Sequence, residues 1–537
     1  WGSSEPEPDA RGSSGAMGGG AAATPELAIE RLRTATLASE RVAALDSLKA
    51  MCSTRRSELG SSALSAILDT LKAEPREPST VRAALDVLLQ LFASEGGGVD
   101  EEGAQNARSF LAMPGAVEPL LLSLQDEELW VRFTCIQVLT SLAYADRQRL
   151  ELGILQSSAG MMHLVAVLQD RREEVRNELL LLLLRVTESN AEVQNFLAFQ
   201  EGFERLFQIM REEGMADGGI IVQDCLKIVN NMLRGNPLTR KMFAQGPCMG
   251  WLPALLALRL QDVEAPGAAG GEGVGGGVGG GALAQVRRDR AGLALLALET
   301  AALLLEDGHL FAERWEAEQM RATYGSSGDS SGGGGGTDGS GDAEEEARLA
   351  GRRQQLQRAQ VALCQNPDAV EGVLALALGP HTAAAALAPV RCRALEVLGL
   401  LAQGNPKVQR MFARGTVPGA LRALAPASMS RGLAEDVVYL PTDRPVLSAI
   451  FEAALKAPDP REEQSALRAA SQLLQDNEDV RVALLGHAKA PPPPPTDRGQ
   501  LPAKPAGRVL VDELRNSTDA LIRAAAAANA AASMDLS

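Results

Sequence analysis

The chain contains 537 residues, of which 45% are apolar, 22% are charged and only 3% are aromatic. Its 52 basic and 68 acidic side chains give a formal net charge of −16. This balance argues against general nucleic-acid binding and against direct adhesion to anionic lipid, because both require a basic surface. We therefore expect the partners to be proteins.

Cysteine usage favours a reducing compartment and gives no support to a metal site. The cysteines are scattered and form no C-x-x-C pair, so we expect buried small apolar residues and no zinc. No secretory signal is visible, and no apolar stretch reaches the length needed to cross a bilayer. No nucleotide-binding loop or histidine metal spacing occurs, so no cofactor is expected. The six cysteines are Cys52, Cys135, Cys225, Cys248, Cys364 and Cys392.

Composition divides the chain into one helical head and several segments expected to lack a fold. These segments hold too few apolar side chains to offset the entropy lost when the backbone is ordered. The head is predicted over residues 24–488. Disorder is predicted for residues 1–23, about 262–282 and about 324–343, followed by a Pro-rich linker over 489–507 and a C-terminal helix over 508–537.

The head shows the apolar spacing of helices and an internal repeat. Val131, Cys135, Val138, Leu139 and Leu142 are spaced so that they share one helical face. The sequence Leu-Gln-Asp occurs at 124–126 and again 44 residues later at 168–170. At the same offset, the pair Val-Arg at 131–132 recurs at 175–176. Glycines at 115, 160 and 202 each precede a new apolar helix.

A second repeated motif, the Gly-Asn-Pro echo, occurs in two distant parts of the head. Gly-Asn-Pro at 235–237 and at 404–406 is followed in both places, after four residues, by Met-Phe-Ala. All-helical units with a period near 42–45 are typical of armadillo or HEAT arrays, in which stacked units share one apolar core. We therefore predict an all-α, armadillo/HEAT-like α-solenoid of roughly ten units. Leu179–Leu184 is expected to be buried on every side.

Few residues suggest chemistry. Gly328–Gly332 matches G-x-S-x-G, but it lies in Gly/Ser-rich sequence with no strand before it, so we expect no enzyme. The polar segment 211–219 separates two apolar helices, where Gly218 and Gly219 permit a turn and Asp217 is placed to cap the next helix. This segment is interpreted either as a plain connection or as an acidic recognition loop.

Part of the sequence resembles a known family. Residues 129–233 are similar to the globular head of the general vesicular transport factors, long tethers acting between endoplasmic reticulum and Golgi. The N-terminal part, about 25–93, and the stretch from Leu510 are similar more weakly. The most specific matches are Trp130-Val131-Arg132, Phe203-Glu204-Arg205-Leu206, Glu212-Glu213-Gly214 and the run from Asp217-Gly218-Gly219 to Asp224-Cys225-Leu226.

The resemblance implies a vesicle-tethering head in ER-to-Golgi and intra-Golgi transport. It implies Rab-type GTPase and SNARE partners, possible contacts with other Golgi tethers, and indirect attachment to Golgi and vesicle membranes from the cytoplasm. The family's coiled coil and acidic tail are not found, so a fragment or a shortened relative is expected, and a homodimer if a coiled coil follows. Candidate partner-binding residues are Glu212, Glu213, Asp217 and Asp224.

An all-helical array of this kind also fits two other armadillo functions. A cochaperone that promotes nucleotide exchange on a heat-shock ATPase would share the solenoid and remains an alternative. A nuclear import adaptor would carry Trp and Asn four residues apart, but Trp130 is followed at that spacing by Thr134 and Trp251 by Leu255. That pattern counts against the adaptor.

Overall fold

The computed structural model shows helical regular structure throughout the residues that it describes, which confirms the all-α prediction. The chain divides into two compact units, one ending at Arg185 and the other beginning at Val186. Most of the segments predicted to lack a fold lie outside the described residues, but a helix begins at Gly279, inside the range 262–282. The described ranges are 24–94, 98–256, 279–306, 356–365, 367–378, 387–414, 446–457, 459–474 and 477–480.

The first unit is built from helices α1 to α10, the last of which ends at the unit boundary. Helix α2 bends at Arg55, whose φ of −136° and ψ of 36° are not helical. Helix α4 packs on both α2 and α7. The helices are α1 (Pro25–Thr34), α2 (Ala38–Ser62), α3 (Leu64–Lys72), α4 (Pro78–Phe92), α5 (Glu101–Leu111), α6 (Glu118–Ser123), α7 (Leu129–Ala145), α8 (Arg147–Gln156), α9 (Gly160–Val167) and α10 (Glu173–Val186).

The second unit continues with α-helices and short 3-10 turns. Residues 356–364 are also helical. The 3-10 turns are Met215–Asp217 and Pro247–Gly250, and the α-helices are α11 (Ala191–Phe199), α12 (Gly202–Glu212), α13 (Ile220–Leu233), α14 (Pro237–Gln245), α15 (Leu252–Leu256), α16 (Gly279–Leu305), α17 (Pro367–Leu378), α18 (Ala388–Ala402), α19 (Pro406–Arg414), α20 (Val446–Lys456) and α21 (Pro460–Leu474).

Helices recur in groups of three, as expected for armadillo units. The first helices of four successive groups begin at Glu101, Arg147, Ala191 and Pro237, which gives spacings of 46, 44 and 46 residues. Each is preceded by an Asp or Asn whose side chain accepts a hydrogen bond from a backbone N–H of the first turn, which satisfies a donor that the helix leaves unpaired. These caps are Asp100, Asp146, Asn190 and Asn236.

The predicted core positions are largely confirmed. The stripe from Val131 to Leu142 on α7 is fully buried. The leucine run on α10 differs from the expectation at two positions. Leu181 is 44% exposed and Leu184 is half-buried, while Leu179, Leu180, Leu182 and Leu183 are fully buried. A helix in a stacked array has neighbours around most of its circumference but keeps one open edge.

The Leu-Gln-Asp and Val-Arg echo has a physical cause. The Arg132 guanidinium donates to the backbone carbonyls of Asp126 and Glu127 at 2.8 and 3.0 Å. It also donates to both carboxylate oxygens of Asp170, at 2.6 and 3.1 Å, although that residue belongs to the next group of helices. Arg176 in turn donates to the Asp170 carbonyl at 2.8 Å. Each arginine therefore fixes the turn before its own helix, and Arg132 also fastens that turn to the following group.

The Gly-Asn-Pro echo marks a second recurring device, in which a glutamine of one group contacts the capping asparagine of the next. Gln194 donates to the backbone carbonyls of Thr187 and Asn231, and Asn236 donates to the Gln194 side-chain oxygen at 3.0 Å. The same glutamine-to-asparagine arrangement is formed by Gln360 with Asn405 and by Gln409 with Asn477. These amides are buried, so the pairing satisfies groups that would otherwise be costly to desolvate.

Within the described ranges, no single helix combines the length and apolar character needed to cross a membrane. The pair α8 and α9, bent by 105° at its break, meets the criterion on length and composition alone.

Candidate functional site

The predicted acidic loop connects α12 to α13 in the second unit. Helix α12 ends at Glu212, and the chain then turns through Gly214 and Met215, whose φ values of 90° and 54° are left-handed. The glycine adopts this conformation without the steric cost that a Cβ atom imposes. The turn closes through Met215–Asp217, and α13 starts at Ile220, which is 59% exposed.

Asp217 does not cap α13, so that part of the sequence interpretation is wrong. The N-cap position is Gly219, and it makes no side-chain capping hydrogen bond. The Asp217 side chain is 80% exposed and pairs with Arg290 of α16 at 3.1 Å. The bend through the left-handed residues places the carboxylate toward α16 rather than over the first turn of α13.

The four candidate residues occupy different environments. Glu212 is exposed and accepts a hydrogen bond from Gln208 at 3.2 Å. Glu213 is half-buried. Asp224 lies a turn into α13, is only 7% exposed and pairs with Lys227 at 2.8 Å. The structure therefore brings Glu212, Glu213 and Asp217 together in one loop and places Asp224 in the helix interior.

Buried charge beside the loop affects a neighbouring thiol. Burial raises the pKa of Cys225 well above its usual range, and the carboxylates of Asp224 and Glu213 raise it further. A thiolate is the reactive form of cysteine, so this residue is chemically inert. It packs as an apolar side chain, as the sequence predicted for the cysteines. Among the described cysteines, the buried ones are Cys52, Cys135, Cys225 and Cys248.

The sequence did not reveal the residues that support this loop. The Arg211 guanidinium lies 5.8 Å from the Trp251 ring centroid, and the Phe207 ring lies 5.7 Å from it. Trp251 and Arg290 come much later in the sequence than the loop. No local sequence motif indicates that they contact it. Packing of this kind holds an exposed loop in a defined position, which is the arrangement that binding loops use.

Nothing in the described part of the chain is arranged as a metal centre, since no group of three His, Cys, Asp or Glu residues is close enough to hold an ion. The G-x-S-x-G match at 328–332 lies outside the described residues.

The fold and its repeating contacts define an armadillo-like α-solenoid with an exposed, supported acidic loop. No protein-family model matches the chain. Over 226 residues, or 40% of the chain, it is 32% identical to general vesicular transport factor p115 of Homo sapiens. It is 31% identical over 211 residues to golgin candidate 6 of Arabidopsis thaliana, and 29% identical over 261 residues to intracellular protein transport protein USO1 of Saccharomyces cerevisiae.

A crystal structure of Uso1 aligns with 87% of the chain at a TM-score of 0.63 and 21% identity, and the alignment covers 63% of that structure. The aligned regions span 24%, 22% and 14% of the three curated relatives, so the similarity is to a part of each. The predicted resemblance to the general vesicular transport factors, with an armadillo-like head, is therefore confirmed.

Proposed function

We propose that this chain forms the head of a vesicle-tethering factor in ER-to-Golgi and intra-Golgi transport. The observation that supports the proposal is the similarity to p115 and USO1, whose names refer to vesicular and intracellular protein transport. The solenoid fold suits such a role because stacked helical units present an extended surface to a protein partner.

The proposed partners are an activated Rab-type GTPase and SNARE proteins, with membrane attachment through these proteins on the cytosolic face of Golgi membranes and vesicles. The net charge of −16 supports indirect attachment, because an acidic chain is repelled by anionic lipid. No catalytic step is part of the proposal.

The acidic loop is the proposed contact. Glu212 and Asp217 lie in one turn with the exposed Ile220, so charged and apolar surface adjoin there. Charged groups at the rim of an interface steer association and select partners. Asp224 is buried, and its proposed part is to hold the start of α13 in place.

A membrane-pelleting assay tests the proposal. The chain is expected to pellet with Golgi-type membranes when the GTPase carries a non-hydrolysable GTP analogue, and to stay in the supernatant with GDP. The variant Asp217→Asn is expected to pellet less, whereas Glu192→Gln, an equal charge change at an exposed position of α11, is expected to behave like the unaltered chain. Equal pelleting with protein-free liposomes would refute indirect attachment. Equal pelleting in both nucleotide states would refute the proposal that the activated GTPase is the partner.

A further inference from the structure

A groove of about 590 Å³ lies in the first unit. Its volume is within the range of roughly 300–1,000 Å³ that ligand sites commonly have. Five helices contribute to its walls, namely α2, α4, α5, α7 and α10. The lining includes the polar and aromatic side chains of Ser53, Arg56, Glu102, Gln137, Tyr144 and Glu178.

Arg56 is the basic side chain of this lining, and it is already paired with other groups of the protein. Arg56 Nη1 donates to both carboxylate oxygens of Asp100, at 2.9 and 2.7 Å. Its Nε and Nη2 donate to the carbonyls of Leu91 and Ala93 at 3.1 and 3.0 Å. The Gly103 N–H and the Arg56 side chain hold the pKa of Asp100 below its usual range, so the pair stays ionised. Arg56 therefore pairs with Asp100, and its charge does not offset the other carboxylates of the lining.

Two other carboxylates of the lining have no such partner. Neither Glu102 nor Glu178 forms an ion pair with any residue that the structure describes. Glu178 is half-buried, and burial raises the pKa of its carboxyl even though Gln137 hydrogen-bonds to it. A partly desolvated carboxylate without a cation is unfavourable for folding, and a bound cation would relieve that cost.

The groove also offers an aromatic wall. Tyr144 is 58% exposed, and the Arg185 guanidinium lies 4.8 Å from its ring centroid, which keeps the ring in place. Thr140 lines the same groove, and its buried hydroxyl makes no hydrogen bond within the described structure. An exposed ring beside carboxylates provides contact for the aliphatic stem of a basic side chain as well as for its charged end.

We propose that this groove binds an extended segment of a partner protein that carries lysine or arginine. The basic end would lie with Glu102 and Glu178, and the stem would lie against Tyr144. The acidic net charge of the chain favours approach of such a segment. Nucleic acid and anionic lipid are disfavoured by the same carboxylates. The proposal does not depend on the transport role or on the acidic loop of the second unit.

Fluorescence anisotropy with the full chain tests the proposal. The probe is a fluorescein-labelled eight-residue peptide that alternates lysine and serine, and the comparison peptide carries glutamate in place of lysine. Saturable binding is expected for the lysine peptide alone. Absence of saturable binding, or equal binding of the two peptides, would overturn the proposal.

Three variants locate the binding. Glu178→Gln removes one carboxylate charge, and Ser53→Arg adds a positive charge at an exposed position of the lining. Each is expected to weaken binding about tenfold, the change expected for one charge-assisted hydrogen bond. Glu101→Gln is the matched control, because this neighbour of Glu102 is outside the lining and its side chain is 89% exposed. Thermal melts confirm that each variant is folded. If all three variants weaken binding equally, the peptide is held by the acidic surface in general and the groove is not its site.

Discussion

The Arg132–Asp170 contact allows a quantitative test of how neighbouring groups of helices are held together. The two side chains are 15% and 8% exposed, so water screens their interaction weakly. In Arg132→Met, Asp170 loses two charge-assisted hydrogen bonds and two backbone carbonyls lose a donor. Hydrogen bonds to charged groups contribute about 1.5–3 kcal/mol, and breaking a buried ion pair costs about 3–5 kcal/mol. We expect a loss of about 3 kcal/mol in the free energy of unfolding.

A double-mutant cycle with Asp170→Asn separates the pair from its surroundings. Urea unfolding gives the free energies, and hydrogen exchange of peptides from α7 and α10 reports the local effect. We expect a coupling energy of about 2 kcal/mol at pH 7. The exposed pair Arg108–Glu101, with side chains 34% and 89% exposed, is the control and is expected to couple weakly.

The pH dependence of this coupling has a defined sign. Burial opposes ionisation of Asp170, but hydrogen bonds from Arg132 and the Arg172 N–H, with the charges of Arg132 and Arg176, outweigh it and lower its pKa. The stabilisation is therefore complete above the unfolded pKa of about 3.9 and is lost as the pH falls through the lower folded value. A coupling energy below about 0.5 kcal/mol at pH 7 would refute the reasoning. So would a coupling that stays constant as the pH falls through this window.

Three further outcomes are expected. Glu462→Gln leaves the buried Arg391 without its charge partner, so calorimetry is expected to show a destabilisation of about 3–5 kcal/mol, and an unchanged melt would contradict this. Asn236→Ala removes the cap of α14 and the donor to Gln194, so amide exchange at the start of α14 is expected to accelerate by the equivalent of about 2 kcal/mol, whereas Asn236→Asp should retain the capping part. Burial raises the pKa of the Cys52 thiol to about 11, so a thiol reagent at pH 8 is expected to label it slowly until urea is added, and native labelling at the rate of an exposed thiol would argue against the burial.

The sequence predicts well those features that depend on residues close together in the chain. The apolar stripe of α7 and the recurrence of Val-Arg at 131 and 175 were both sufficient to indicate helices in a repeating array, because the same local contact recurs in these two successive groups. The exposure of Leu181 was not predicted, because a run of consecutive leucines does not show which side of the helix lacks a packing neighbour.

Features formed by residues that are far apart in the sequence could not be predicted from it. The ion-pair partner of Asp217 is Arg290. A Gly-rich stretch separates the two residues in the sequence, and its composition does not indicate which later residue will contact Asp217. The groove of the first unit draws on residues from Cys52 to Glu178 on five helices, so no continuous motif marks it. The Gly-Asn-Pro echo was recognised, but the buried glutamine that contacts the asparagine depends on how successive groups stack.

The glutamine-to-asparagine contact has a consequence for how such an array changes in evolution. An insertion or deletion that starts and stops at two capping asparagines leaves every glutamine opposite an equivalent amide, because the same geometry occurs with Asn236, Asn405 and Asn477. A change whose endpoints are not equivalent positions of two units shifts this register and leaves a buried amide without its partner. Gene duplication can therefore lengthen this chain by whole units, and these asparagines are the natural junctions for grafting units from one such protein into another.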